Sequence, residues 1–215
     1  MLLNTSVPMR VPLTLACGDY DRTATLARGE VRPEGVDLTF LALPVEETFF
    51  RMARHREFDA AEMSLSSYLI SREREPAPFV AIPAFVSRSF RHNGIYVSPA
   101  SGISAPADLA GRVVGVAEYQ LTANVWIRGI LAERYGVPVS SVRYRTGGRF
   151  PAAWAYADAE RTRCVMGGEF WTYGLAGNEE TLGTFVRYAW EQGLVRQQTW
   201  PAALFAAETR EAYVI

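Results

Sequence analysis

The chain has 215 residues, 49% apolar and 21% charged, enough for a sizeable core and typical of a soluble globular protein with one large domain or two small ones. A formal net charge of −1 supplies no basic surface, so neither nucleic acid nor an acidic membrane is expected as a partner. No lysine occurs, which excludes a P-loop lysine, a Schiff-base lysine and with it pyridoxal-phosphate chemistry. The arginines that remain suit bidentate recognition of carboxylate or phosphate. Cys17 and Cys164 are far apart and belong to no paired-cysteine motif, so no disulfide framework or zinc site is suggested. The N-terminus has no apolar core before Leu13 and no run reaches membrane-spanning length, so a cytoplasmic location is expected.

In chain order, Val11 to Cys17 reads as a strand that ends in the polar turn Gly18-Asp19-Tyr20-Asp21-Arg22. Thr23 to Arg28 suggests a short helix stopped by Gly29, and Val36 to Leu43 alternates as a second strand. Pro44 opens a helix with Glu46 and Glu47 in its first turn, where carboxylates suit the dipole, and with Phe49, Met52 and Ala53 as its apolar stripe. His55 on that helix reads as a solvated residue. Phe58 to Met63 reads as a short strand, and Ser64 to Tyr68 begins a helix whose serines can cap it or donate to a ligand.

Phe79 to Val86 and Ile95 to Val97 read as further strands. Between them lies the densest polar cluster of the chain, with Arg88, Arg91 and His92 beside Gly94. Pro99 to Pro106 looks like a crossing linker, and Asp108 to Gly111 like one helical turn. Val113, Val114 and Val116 then form a buried strand, Glu118 to Thr122 a polar turn, and Trp126, Ile127, Ile130, Leu131 and Tyr135 recur at helical spacing. A strand that delivers polar residues to a helix start makes an anion site, because free backbone N–H groups and the helix dipole converge there. Val142 to Arg145 reads as a last strand ending at Gly147-Gly148. Helices are expected from Pro151, from Asn178 as a cap with Leu182, Phe185, Val186, Ala189 and Trp190 on one face and Gly193 as its stop, and from near Pro201. Alternating strands and helices give an α/β fold with a mostly parallel sheet, whose ligands sit at the carboxyl ends of the strands. The turns after Cys17, Met63 and Val116 and the Arg88–His92 cluster are therefore expected to face one cleft.

Five colinear segments carry a resemblance: Leu15 to Arg22, Pro44 to Arg51, Ala61 to Tyr68, Phe90 to Val97 and Gly115 to Gly136, with Phe170 to Leu175 and Leu204 to Thr209 near the C-terminus. Together they resemble the 4,5-dihydroxyphthalate decarboxylase family, enzymes of the type II periplasmic-binding-protein fold. The chain departs from that family between Gly148 and Ala152, where it passes over most of the second lobe. The resemblance thus implies one complete α/β lobe over residues 1–98, a truncated α/β second lobe over 99–148, and a C-terminal helical segment over 149–215 that packs back on the lobes.

The resemblance implies cofactor-independent removal of one ring carboxylate from 4,5-dihydroxyphthalate, leaving protocatechuate. Arg88 and Arg91 suit clamping of the retained carboxylate. His92 is the expected proton donor, because an unperturbed imidazole titrates near neutrality, and Glu118 is its rival if burial raises its pKa. Asp19 or Asp21 would accept hydrogen bonds from the catechol hydroxyls. Tyr20, Arg22, Ser64, Ser66, Tyr119, Gln120 and Thr122 would bind or orient the substrate. Asp19, Asp21, Glu118 and His92 offer metal-ligand chemistry, but no spaced ligand pair supports a metal, and neither a metal nor a cofactor is expected. The expected partner is a small aromatic carboxylate, with homo-oligomerisation allowed. The alternatives are a non-catalytic binder of an aromatic or dicarboxylic anion, and a truncated relative with no working site.

Overall fold

The computed structural model describes residues 9–146 and 172–210. The helix expected from Pro151, the glycines at 147 and 148, Cys164 and the Phe170-Trp171 pair lie outside them. The chain divides into two units, Met1–Ser64 and Leu65–Ile215.

Unit one is a three-stranded parallel sheet in the order β2-β1-β3, formed by β1 (Val11–Cys17), β2 (Val36–Ala42) and the two-residue β3 (Ala60–Ala61). Val11 pairs with Val36 and Cys17 with Ala42, while Leu15 and Ala16 face Ala60 and Ala61 across the other edge. Parallel neighbours need crossovers. Asp21–Thr23 and α1 (Ala24–Ala27) supply the first, and α2 (Val45–His55) the second. Pro44 occupies the N-cap of α2, Glu46 and Glu47 sit in its first turn, and Arg56 closes it in the left-handed region at φ 52°. The buried residue of α2 is Thr48; Phe49 and Met52 are half-buried and Ala53 is exposed, so the inward stripe sits one position earlier than expected. The strand expected over Phe58 to Met63 contracts to Ala60–Ala61.

Unit two begins with α3 (Leu65–Ser71) and carries a two-stranded parallel sheet of β4 (Val113–Val116) and β5 (Arg143–Thr146), joined through α4 (Thr122–Tyr135). Leu109, Leu131, Val137 and Val142 form its core cluster, with Ile103, Val114, Ile127 and Tyr144 packed around it. The opposite side of α4 meets α5 (Glu179–Glu191), whose buried residues are Leu182, Phe185, Val186, Tyr188 and Ala189. Gly193, at φ 70°, ends the chain's run through α5 as expected.

Three expectations in this unit are corrected. Phe79 to Val86 forms no strand; Ala81 makes one isolated bridge with Phe205, because Pro78 and Pro83 remove ladder donors. Ile95 to Val97 joins neither sheet, and all three side chains are exposed. The helix near Pro201 is a single 3-10 turn, Pro201–Leu204.

The α4–α5 crossing depends on one missing side chain. A Cβ on Gly129 would lie 2.1 Å from the Tyr188 ring, an overlap that neither backbone can absorb without moving. Gly129→Ala should therefore cost about 1–3 kcal/mol of stability in chemical denaturation. Gly183→Ala, whose added Cβ meets nothing nearer than 3.8 Å on α5, should gain about 0.5–1 kcal/mol. Equal midpoints for the two variants would contradict this account of the crossing.

Candidate functional site

In unit one the strand order reverses between β1 and β3, the place where an open parallel sheet leaves a crevice beyond its strand ends. Glu62 follows β3 directly. Its carboxylate accepts hydrogen bonds from the Tyr20 hydroxyl at 2.9 and 3.0 Å, from the Gly18 N–H at 3.2 Å and from the Cys17 thiol at 3.7 Å. The Tyr20 ring crosses so close over Gly18 that a Cβ there would lie 2.6 Å from it. Asp19 and Asp21 are exposed; Asp21 accepts from the Arg22 N–H at 2.8 Å and pairs with its guanidinium at 3.3 Å. The Arg22 guanidinium stands 5.0 Å from the centre of the Tyr20 ring. Ser64, just before α3, is buried.

Glu62 was not singled out from the sequence. The available signal was its position, a carboxylate immediately after a short apolar strand. Its effect on Cys17 is clear: burial, then the Glu62 charge and hydrogen bond, push the thiol from 9.0 up to about 12.

In unit two the starts of α3 and α4 are joined, since Thr122 Oγ1 accepts from the Ser66 N–H at 3.1 Å and lies 3.2 Å from Ser66 Oγ. Leu121 at the N-cap of α4 offers no side-chain cap and the first turn holds no acid. Glu118 and Gln120 are brought together, with Gln120 Nε2 donating to the carboxylate at 3.0 Å. Glu118 is exposed, so the burial on which its role as donor depends is missing.

Arg88 is engaged elsewhere. Its Nη2 donates to the Thr172 carbonyl at 2.7 Å and to Asn178 Oδ1 at 2.5 Å. Burial of this guanidinium lowers its pKa. Asn178 occupies the N-cap of α5 but makes no side-chain cap; its amide donates to the Thr172 and Gly174 carbonyls instead. The expected cap is thus a tertiary clasp.

Arg91 and His92 line a common hollow of about 220 Å³, walled by Ile95, Ile103, Leu109 and Ile127. Apolar cavities of about 150 Å³ admit a benzene ring. His92 is exposed and stacks on Phe90 at 4.6 Å between ring centres. Tyr119 is half-buried and packs against Arg128, which the sequence reading also passed over. Among the described residues no group of three or more His, Cys, Asp or Glu side chains is placed to hold a metal ion, and no helix is long and apolar enough to cross a membrane.

No family model matches the chain. The likeness lies with individual proteins. A 4,5-dihydroxyphthalate decarboxylase of Comamonas testosteroni is 46% identical over 139 residues, 65% of this chain and 42% of the relative. A 4,5-dihydroxyphthalate decarboxylase of Pseudomonas putida is 45% identical over 139 residues, 65% of this chain and 54% of the relative. The chain spans about half the length of the curated relatives it matches. Among solved structures, the periplasmic aliphatic sulphonate binding protein of Escherichia coli aligns over 92% of this chain and 76% of its own, at 14% identity and a TM-score of 0.41.

The Cys17 shift fixes a pH dependence. The folded thiol holds its proton more tightly than the unfolded one, so this contribution is fully present below pH 9.0 and is lost as pH rises toward about 12. Alkylation at pH 8 followed by peptide mapping should find Cys17 unmodified in the native protein and modified in denaturant, and Glu62→Gln should speed the native reaction. Rapid labelling of native Cys17 would refute the Glu62–thiol arrangement.

Proposed function

We propose that the chain decarboxylates 4,5-dihydroxyphthalate, or a related hydroxylated aromatic acid, without a cofactor, releasing protocatechuate from the former. The reading is supported above all by the 46% identity to a curated decarboxylase of that substrate. In unit two the hollow shared by Arg91 and His92 agrees with it: apolar walls for a ring, a guanidinium for a carboxylate and an imidazole for a proton. The type II binding-protein architecture and the two-lobe division belong to the same proposal, as do a cytoplasmic setting and self-association.

The chemistry needs few groups. The carbon losing its carboxylate lies para to a ring hydroxyl, so protonation at that carbon puts positive charge on the hydroxyl oxygen. The carbon–carboxylate bond then breaks, its electron pair restores the aromatic ring, and carbon dioxide leaves. His92 supplies the proton and regains one from solvent, while Arg91 holds the carboxylate that stays. Ser66 and Thr122, also of unit two, orient the substrate.

A second reading, a binder of aromatic or dicarboxylic anions without turnover, is favoured by the exposure of both His92 and Glu118, since neither proton donor is sheltered from water.

Incubation with 4,5-dihydroxyphthalate, with and without a chelator, should yield protocatechuate by chromatography. His92→Ala should lower turnover by about 10²–10⁴-fold. Binding without product would select the second reading, and unchanged turnover in the variant would remove His92 from the proton-donor role.

A further inference from the structure

Arg128, on α4, is not among the residues that line the hollow of Arg91 and His92, and it is 1% exposed. Its Nε donates to Gln192 Oε1 at 2.7 Å, and Gln192 Nε2 in turn donates to the Val125 carbonyl at 2.9 Å, so the stem of the guanidinium is fixed. The other end is not satisfied. Nη1 and Nη2 are both buried and have no hydrogen-bond partner among the described residues. Among the described residues no carboxylate pairs with the charge. The guanidinium carbon instead stands 3.7 Å from the centre of the Tyr119 ring and 5.6 Å from that of Tyr144.

Aromatic faces offset part of the charge but supply no acceptors for the two amino groups. Native proteins rarely leave a buried cation in that condition, and an unpaired one is a functional signal when its surroundings point to a ligand. Here a second feature points the same way. Helical side chains lean toward the helix N-terminus, and Tyr119 belongs to the turn that enters α4, so the fork lies toward the uncapped, acid-free first turn. The buried fork therefore lies toward the N-terminal end of α4, behind one aromatic ring.

We propose that Arg128 is a carboxylate receptor covered by Tyr119, a subsite separate from the Arg91–His92 hollow. A carboxylate-bearing small molecule displaces the Tyr119 ring and accepts two parallel hydrogen bonds from Nη1 and Nη2. The guanidinium–tyrosine contact holds the fork in place until then. Desolvation of the waiting charge makes the eventual pair stronger than one formed in water, because the field of the fork is not spent on solvent. Burial lowers the Arg128 pKa, in keeping with a charge that lacks its partner.

Calorimetric titration with phthalate, which carries carboxylates but no hydroxyls, tests this, with catechol as the carboxylate-free control. Arg128→Met should weaken phthalate binding at least tenfold while holding or raising the melting temperature, since an apolar side chain replaces an unpaired buried charge. Tyr119→Ala should tighten binding by removing the cover, and Arg128→Lys should fall between wild type and Arg128→Met. A structural role predicts the reverse pattern, a lower melting temperature in Arg128→Met with phthalate affinity unchanged, and that result would overturn the proposal. So would absence of phthalate binding in both the wild type and Tyr119→Ala. Failure of the wild type to release protocatechuate removes the decarboxylase reading and leaves this one to the titration.

Discussion

Tyr188 lying flat against the bare backbone of Gly129 sets the arrangement of unit two. The ring can approach only because no Cβ stands in its way, and the approach brings α4 and α5 into close contact. Trp126 closes the contact, 5.5 Å from the Phe185 ring and 5.6 Å from Tyr188. At the edge of the crossing, Glu133 accepts from the Tyr188 hydroxyl at 2.7 Å and from Arg187 at 2.6 Å. Those two donors hold the Glu133 carboxyl below its usual range. The pair is solvent-facing and contributes little energy by itself; its effect is to fix the rotation of the Tyr188 ring. Everything α4 carries, from Thr122 at its start to Ile127 on the wall of the hollow, is placed by that packing.

The two units handle charge in opposite ways. Glu62 in unit one is surrounded by donors, a phenol, a backbone amide and a thiol, and the turn after β1 is shaped by them. Its charge is spent on structure. Arg128 in unit two has donors and too few acceptors, so its charge remains available. A carboxylate with three donors organises a loop, whereas a guanidinium with an empty fork is prepared to receive something.

Much of this was legible in the sequence where local pattern and tertiary environment agree. Alternation gave β2, the apolar run before the Gly18–Arg22 turn gave β1, helical spacing gave α4 and α5, and the acids behind Pro44 gave α2. Legibility failed where a partner decides the outcome. Ile95 to Val97 has strand chemistry but no neighbouring ladder among the described residues, and Phe79 to Val86 has apolar chemistry interrupted by prolines. Asn178 was read as a cap because its sequence position is a cap; the structure turns its side chain toward Arg88 and Thr172 instead. Glu62 and Arg128 were missed because a carboxylate after a strand and an arginine on a helix are usually solvated. The available clue for Arg128 was its place inside an apolar run, between Ile127 and Ile130.

The reach of the hydrogen bonds also orders events in time. Within unit one the side-chain bonds that join Thr14 to Asp59 and Cys17 to Glu62 have both partners once residue 62 has been made. Unit two is different: the hydroxyl of Tyr68 on α3 donates to the Leu204 carbonyl, and Ala81 bridges to Phe205. At a synthesis rate of about 5–20 residues per second, the first unit has many seconds in which it can fold before the second has all its parts. During that interval α3 is present and its partner strand of chain is not. A ribosome pausing before Leu204 would thus carry the first sheet and the α3–α4 junction complete, with the Tyr68 hydroxyl and Ala81 still waiting for their partners.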